Sequence, residues 1–141
     1  MNTSLTIMVV AVIVIGVALL IVIGLTRGRS GLLDQQKYRE AWLKIENNLD
    51  KDNLATYQFA VLSADKLLDQ ALKESCVSGD KMGDRLRAAE KAKKFSNIQK
   101  VWTAHKLRNQ IAHEADVKIN QRFLSAALAT FKKALKELGA I

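Results

Sequence analysis

The chain has 141 residues, 22 Lys and Arg against 14 Asp and Glu, and a formal net charge of +8. It contains no proline and one cysteine, Cys76, so an internal disulfide is excluded, and the lack of β-branched alternation argues against a sheet. All the Lys, Arg, Asp and Glu residues follow residue 26, so that part of the chain suits an anionic partner such as RNA, a nucleotide or anionic lipid.

The N-terminal segment is uncharged and almost entirely apolar. Residues 5–25 contain a single polar side chain, Thr6, and would extend about 31 Å as a helix, which is enough to cross a bilayer. A cleaved signal peptide fits less well, because no basic residue precedes the run. The sequence predicts a tail at 1–4, a transmembrane helix at 5–25 in contact with the lipid bilayer, and a linker at 26–32.

Basic residues follow this segment at Arg27, Arg29, Lys37 and Arg39. The positive-inside rule predicts a single-pass cell-membrane protein with its N-terminus outside and its C-terminal domain in the cytoplasm. The lone Cys76 agrees with a reducing compartment, where we expect it to be a small buried or half-buried filler and not a nucleophile.

Residues 33–139 predict one helical bundle, because apolar residues recur at helical spacing. In chain order we expect helices at about 33–48, 53–75, 84–95, 96 to between 112 and 114, and 117–138, with Ser96 as an N-cap and Gly139 just beyond the last helix. The predicted inner row of the fourth helix includes Trp102 and His105, and that of the last includes Phe123. The predicted fold class is therefore all-α, a transmembrane helix followed by a bundle of four to five helices.

The segment 105–114 reads HKLRNQIAHE and concentrates the candidate chemistry. Arg108 offers a planar fork of donors for a phosphate, Asn109 can donate or accept, and His113 has the side chain that exchanges a proton near neutral pH. The order Arg108, Asn109, three residues, His113 resembles the Arg-x4-His signature of the HEPN superfamily. It stands near the end of the penultimate long helix, where that family carries it.

The resemblance implies a HEPN-like bundle that acts as a homodimer and cuts RNA without a metal or cofactor. It implies catalytic roles for Arg108 and His113, with Asn109 in support. Arg108 and His113 are five residues apart and point about 140° away from each other on a straight helix. They converge only if the helix frays near Ala112 or if two subunits face each other, which is the arrangement in the HEPN family.

Four basic residues near the motif are candidates for contacts to the RNA backbone: Lys100, Lys106, Lys118 and Arg122. A metal site is weakly indicated, since His105 and His113 supply only two ligands.

A structural interpretation of the same motif stays open. Arg108 would pair with Glu114 or Asp116, His113 would cap its helix, and His105 would pack beside Trp102. Three functions follow from these alternatives: a membrane-anchored endoribonuclease, a non-catalytic dimerising interaction or scaffold module at the inner membrane face, and a domain that lies on anionic lipid.

Overall fold

The computed structural model describes residues 3–27, 32–114 and 119–141, and within its first helix the side chains of Thr3 and residues 7–22. All regular secondary structure in these ranges is helical: α1 Thr3–Arg27, α2 Gln35–Asn47, α3 Leu54–Glu74, α4 Met82–Lys91, α5 Ile98–His113 and α6 Gln121–Glu137. The chain divides into two compact units, Met1–Leu32 and Leu33–Ile141. The predicted all-α class is confirmed, and the second unit is a helical bundle.

The transmembrane helix predicted over 5–25 requires correction. Among the described residues, no helix combines the length and the apolar character needed to cross a membrane. The side chains at 5, 6 and 23–25, and linker residues 28–31, lie outside the described set. The predicted orientation depended on that span.

Helix α3 is the centre of the bundle and contacts α2, α4, α5 and α6. Its apolar residues follow the predicted stripe, and Val61, Ala64, Leu68 and Leu72 are fully buried. The largest buried side chains opposite them include Tyr38 of α2, Leu86 of α4, and Leu124, Phe131 and Leu135 of α6. One core therefore joins five helices.

Side-chain caps start four of the bundle helices. The side chains of Asp34, Asn53, Asn97 and Asn120 accept hydrogen bonds from backbone N–H groups in the first turns of α2, α3, α5 and α6. The cap of α5 is Asn97 and not the predicted Ser96, whose hydroxyl and backbone N–H instead donate to Glu137.

Three helices end with a residue in the left-handed region. The residues following the caps of α3, α4 and α6 are Cys76 (φ 59°), Lys93 (φ 51°) and Gly139 (φ 74°). In each case this residue and the next donate backward to two carbonyls of the last turn, as in a Schellman motif. Gly139 has the role that the sequence predicted. Cys76 is exposed, so the prediction of a buried filler is wrong.

Candidate functional site on α5

Helix α5 carries the Arg-Asn-x3-His motif, and it stays helical through His113. Fraying near Ala112, one of the two ways in which Arg108 and His113 were expected to meet, therefore does not occur. On a continuous helix the two residues leave the axis about 140° apart.

A buried carboxylate on α3 faces α5. Asp65 is 3% exposed, its Oδ1 lies 2.8 Å from Nδ1 of His105 and its Oδ2 lies 3.3 Å from Nε of Arg108. Burying an unpaired carboxylate is costly, so these two partners account for its presence in the core. Arg108 thus pairs with Asp65 rather than with the expected Glu114, and Asp116 lies outside the described residues.

Asn109 links the guanidinium to the imidazole. Arg108 Nη1 donates to Asn109 Oδ1 at 2.9 Å, and Asn109 Nδ2 lies 3.4 Å from His105 Nε2. Since Nδ2 can only donate, this contact fits the tautomer of His105 that carries its ring proton on Nδ1 and donates it to Asp65. Asp65, His105, Asn109 and Arg108 form one chain of contacts, which we term the Asp65 cluster.

Arg108 keeps hydrogen-bonding capacity that the cluster does not use. Its Nε is buried and, despite the short distance to Asp65, makes no hydrogen bond, so that contact is electrostatic. Its Nη2 has no hydrogen-bond partner among the described residues, and the side chain is 33% exposed. A phosphate could therefore reach the guanidinium without displacing Asp65.

His113 is separate from the cluster. It is the last residue of α5 and is exposed, and its side chain makes no hydrogen bond or ion pair with a described residue. The fold thus brings Arg108 and Asn109 together and leaves His113 accessible to a second molecule. His105, which the sequence suggested as a packed residue beside Trp102, does contact that ring edge-on at 6.2 Å, but it also belongs to the cluster.

Two of the four basic candidates line a groove between α5 and α6. Lys100 and Lys106 are part of its wall, whereas the lining includes neither Arg108 nor Asn109. Arg122 is exposed in the first turn of α6, and Lys118 lies outside the described residues. We term this surface the α5–α6 groove. Lys100 and Lys106 therefore lie on a different surface from the Asp65 cluster.

The cluster offers few ligands for a metal. Asp65 and His105 bind each other, and no group of three His, Cys, Asp or Glu side chains occurs in the part of the chain that the structure describes. The prediction of a metal-free site stays a prediction.

Comparisons with family models, curated proteins and solved structures give no match to this chain. The resemblance to the HEPN signature thus rests on the motif and the order of helices.

The sequence motif did not include Asp65, although a signal was present. Asp65 is four residues after Val61 and three before Leu68, so it occupies a position within the apolar stripe of α3. An acidic residue at such a position has to find a partner inside the fold.

Proposed function

We propose that this chain is a HEPN-like, metal-independent endoribonuclease whose active site is completed by a second copy. Arg108 would bind the scissile phosphate and stabilise the charge that develops on its oxygens. His113 of the facing copy would either take the proton of the attacking 2′-hydroxyl as general base or give a proton to the leaving 5′-oxygen as general acid, and solvent water would exchange the other proton. The products would be 2′,3′-cyclic phosphate and 5′-hydroxyl ends.

The observation that carries the proposal is that the guanidinium of Arg108 is both oriented and partly exposed. Its guanidinium is oriented from inside by a buried carboxylate, while Nη2 is unpaired among the described residues and one third of the side chain is exposed. An oriented cation with free donors is suited to a phosphate, because little reorganisation is needed when charge develops.

The exposure of His113 supports the need for two copies. An imidazole at the end of an intact helix cannot turn back to Arg108 of the same helix, but it can enter a cleft formed with a neighbour. In a two-fold arrangement, each copy would contribute the same face.

The experiment measures cleavage of a short labelled RNA by the purified full-length chain with a chelator present. Arg108→Ala and His113→Ala should each slow cleavage at least about 100-fold, since each removes a group that acts in the transition state. The matched control is Arg87→Ala, which removes an exposed arginine of α4 whose ion pair among the described residues is with Asp84. Equal cleavage by all four proteins, or none by the wild type, would refute the nuclease.

A second candidate is a non-catalytic interaction module. The observation that favours it is that the members of the Asp65 cluster hold one another in place: Asn109 bridges Arg108 and His105, and both pair with Asp65. In that case the chain would not cleave RNA, and Arg108→Ala would only destabilise the bundle. Self-association of the chain would be measurable by sedimentation.

A further inference from the structure

We propose that the α5–α6 groove binds an amphipathic helix of another protein that carries acidic residues along the edges of its apolar stripe. This surface is distinct from the Asp65 cluster, and the proposal holds whether or not the chain cuts RNA.

The groove has the dimensions of a helix-binding site. Its volume is about 930 Å³, and along α5 its lining runs from Asn97 to Gln110. That stretch rises about 20 Å, which accommodates roughly 13 residues of a docked helix.

The floor is apolar and built largely from small side chains. Val101 and Leu107 contribute from α5, and a row of alanines lines the groove from both helices: Ala104, Ala126, Ala127, Ala129 and Ala134. Small residues let a third helix approach closely, so that its larger side chains fill the space between α5 and α6. Phe123, 64% exposed, stands on the lining as a large apolar contact that the bundle leaves unused.

The charges around this floor have mainly one sign. Of the described residues, Lys100, Lys106 and Lys133 line the groove against a single acid, Glu137. Glu137 already accepts from the hydroxyl and the backbone N–H of Ser96 and pairs with Lys133. Hydrogen bonds from Ser96 lower the pKa of Glu137, so it stays ionised but is already engaged. Lys100 and Lys106 are left for acidic residues of a partner.

Charge and chemistry favour this occupant over two others. A second copy docking groove to groove would set the lysines of both copies against each other, which is unfavourable in a self-complementary interface. RNA would satisfy the lysines but would cover an alanine-rich floor that has no row of aromatic side chains on which bases could stack.

The test selects peptides that bind the full-length chain from a displayed library. Each peptide is an 18-residue helix with a fixed apolar stripe, and the positions that flank the stripe are either acidic or basic. Acidic flanks should be enriched, and the selected peptide should bind at least about tenfold more weakly to Ala126→Trp, which fills the groove from an exposed position. Lys100→Glu with Lys106→Glu should also weaken it. The matched control is Lys51→Glu with Lys66→Glu, which makes the same charge change at exposed positions outside the groove.

Circular dichroism shows whether each variant keeps its helices. Ser125→Trp adds the same bulk at an exposed position of α6 outside the groove lining and is the control for Ala126→Trp. If Ala126→Trp unfolds, the loss of binding by Lys100→Glu with Lys106→Glu decides the test. The exposed apolar side chains of α1 are an alternative surface for the peptide. Binding that survives Ala126→Trp in a folded protein would therefore overturn the proposal. So would a lack of preference for acidic flanks, a dimer that Ala126→Trp dissociates, or RNA binding that the groove variants abolish.

Discussion

Nδ1 of His105 lies 2.8 Å from Oδ1 of Asp65, although the two residues are 40 positions apart and on different helices. Asp65 also holds Arg108, so one buried carboxylate orients an imidazole and a guanidinium that are three residues apart on α5. The contact therefore ties α5 to α3 at the position of the motif.

Asp65→Ala should destabilise the bundle by about 2 to 4 kcal/mol, because it leaves His105 and Arg108 without their buried partner. Urea unfolding followed by circular dichroism measures the change. Asp52→Ala, at an exposed turn position, should stay within about 0.5 kcal/mol of the wild type. If both variants unfold at the wild-type midpoint, Asp65 has no structural role.

Mixing two inactive variants tests whether the proposed site is shared. Arg108→Ala and His113→Ala should each lack RNA cleavage, and an equimolar mixture should recover about a quarter of wild-type activity. Random exchange makes half of the dimers mixed, and each of these has one complete Arg–His pair out of two. If the subunits exchange and the mixture is still as inactive as its components, the two-copy site is wrong. Arg108 and His113 would then act within one chain or not act in cleavage at all.

Lys93→Gly should stabilise the bundle by up to about 1 kcal/mol, because Lys93 has a φ of 51° that glycine adopts without strain. Gly139→Ala should have the opposite effect by a similar amount, since Gly139 has a φ of 74° in the same position after α6. No atom outside its immediate neighbours would contact the new Cβ, so the loss would be conformational. Thermal unfolding of the two variants checks the pair; a shift in the same direction for both would contradict the reasoning.

Lowering the pH should decrease the free energy of unfolding of the bundle, partly because Glu74 becomes protonated. Hydrogen bonds from Lys37, Gln70 and Tyr38 lower the pKa of this carboxyl from 4.5 to about 2. A carboxyl with a lowered pKa in the folded state stabilises the protein above pH 4.5, and that contribution is lost as the pH falls toward 2.

The urea midpoint of the wild type should therefore fall over this range more than that of Glu74→Gln. The difference will be modest, since Glu74 is 36% exposed and solvent screens its contacts. Glu40→Gln, at an exposed position of α2, should follow the wild type. Parallel curves for the wild type and Glu74→Gln would show that the contacts of Glu74 contribute nothing.

Much of the bundle was predictable because the spacing of apolar residues in an amphipathic helix indicates which face is buried. The predicted α3 at 53–75 and the observed Leu54–Glu74 differ only at the ends, and Val61, Leu68 and Leu72 are buried as expected. The pattern failed at Phe123. This residue continues the apolar stripe of α6 at four-residue spacing, yet it is 64% exposed, whereas its neighbour Leu124 is fully buried.

The amino-acid sequence by itself determined the all-helical class, the order of the helices and the positions of Arg108, Asn109 and His113 on one of them, since helix periodicity and capping are local properties. Only the tertiary structure decided which side chains meet. The pairing of Asp65 with His105 and Arg108 depends on how two helices pack, and no spacing within either helix encodes it. The groove between α5 and α6 likewise exists only once both helices lie side by side, because a concave surface is a property of the packed pair.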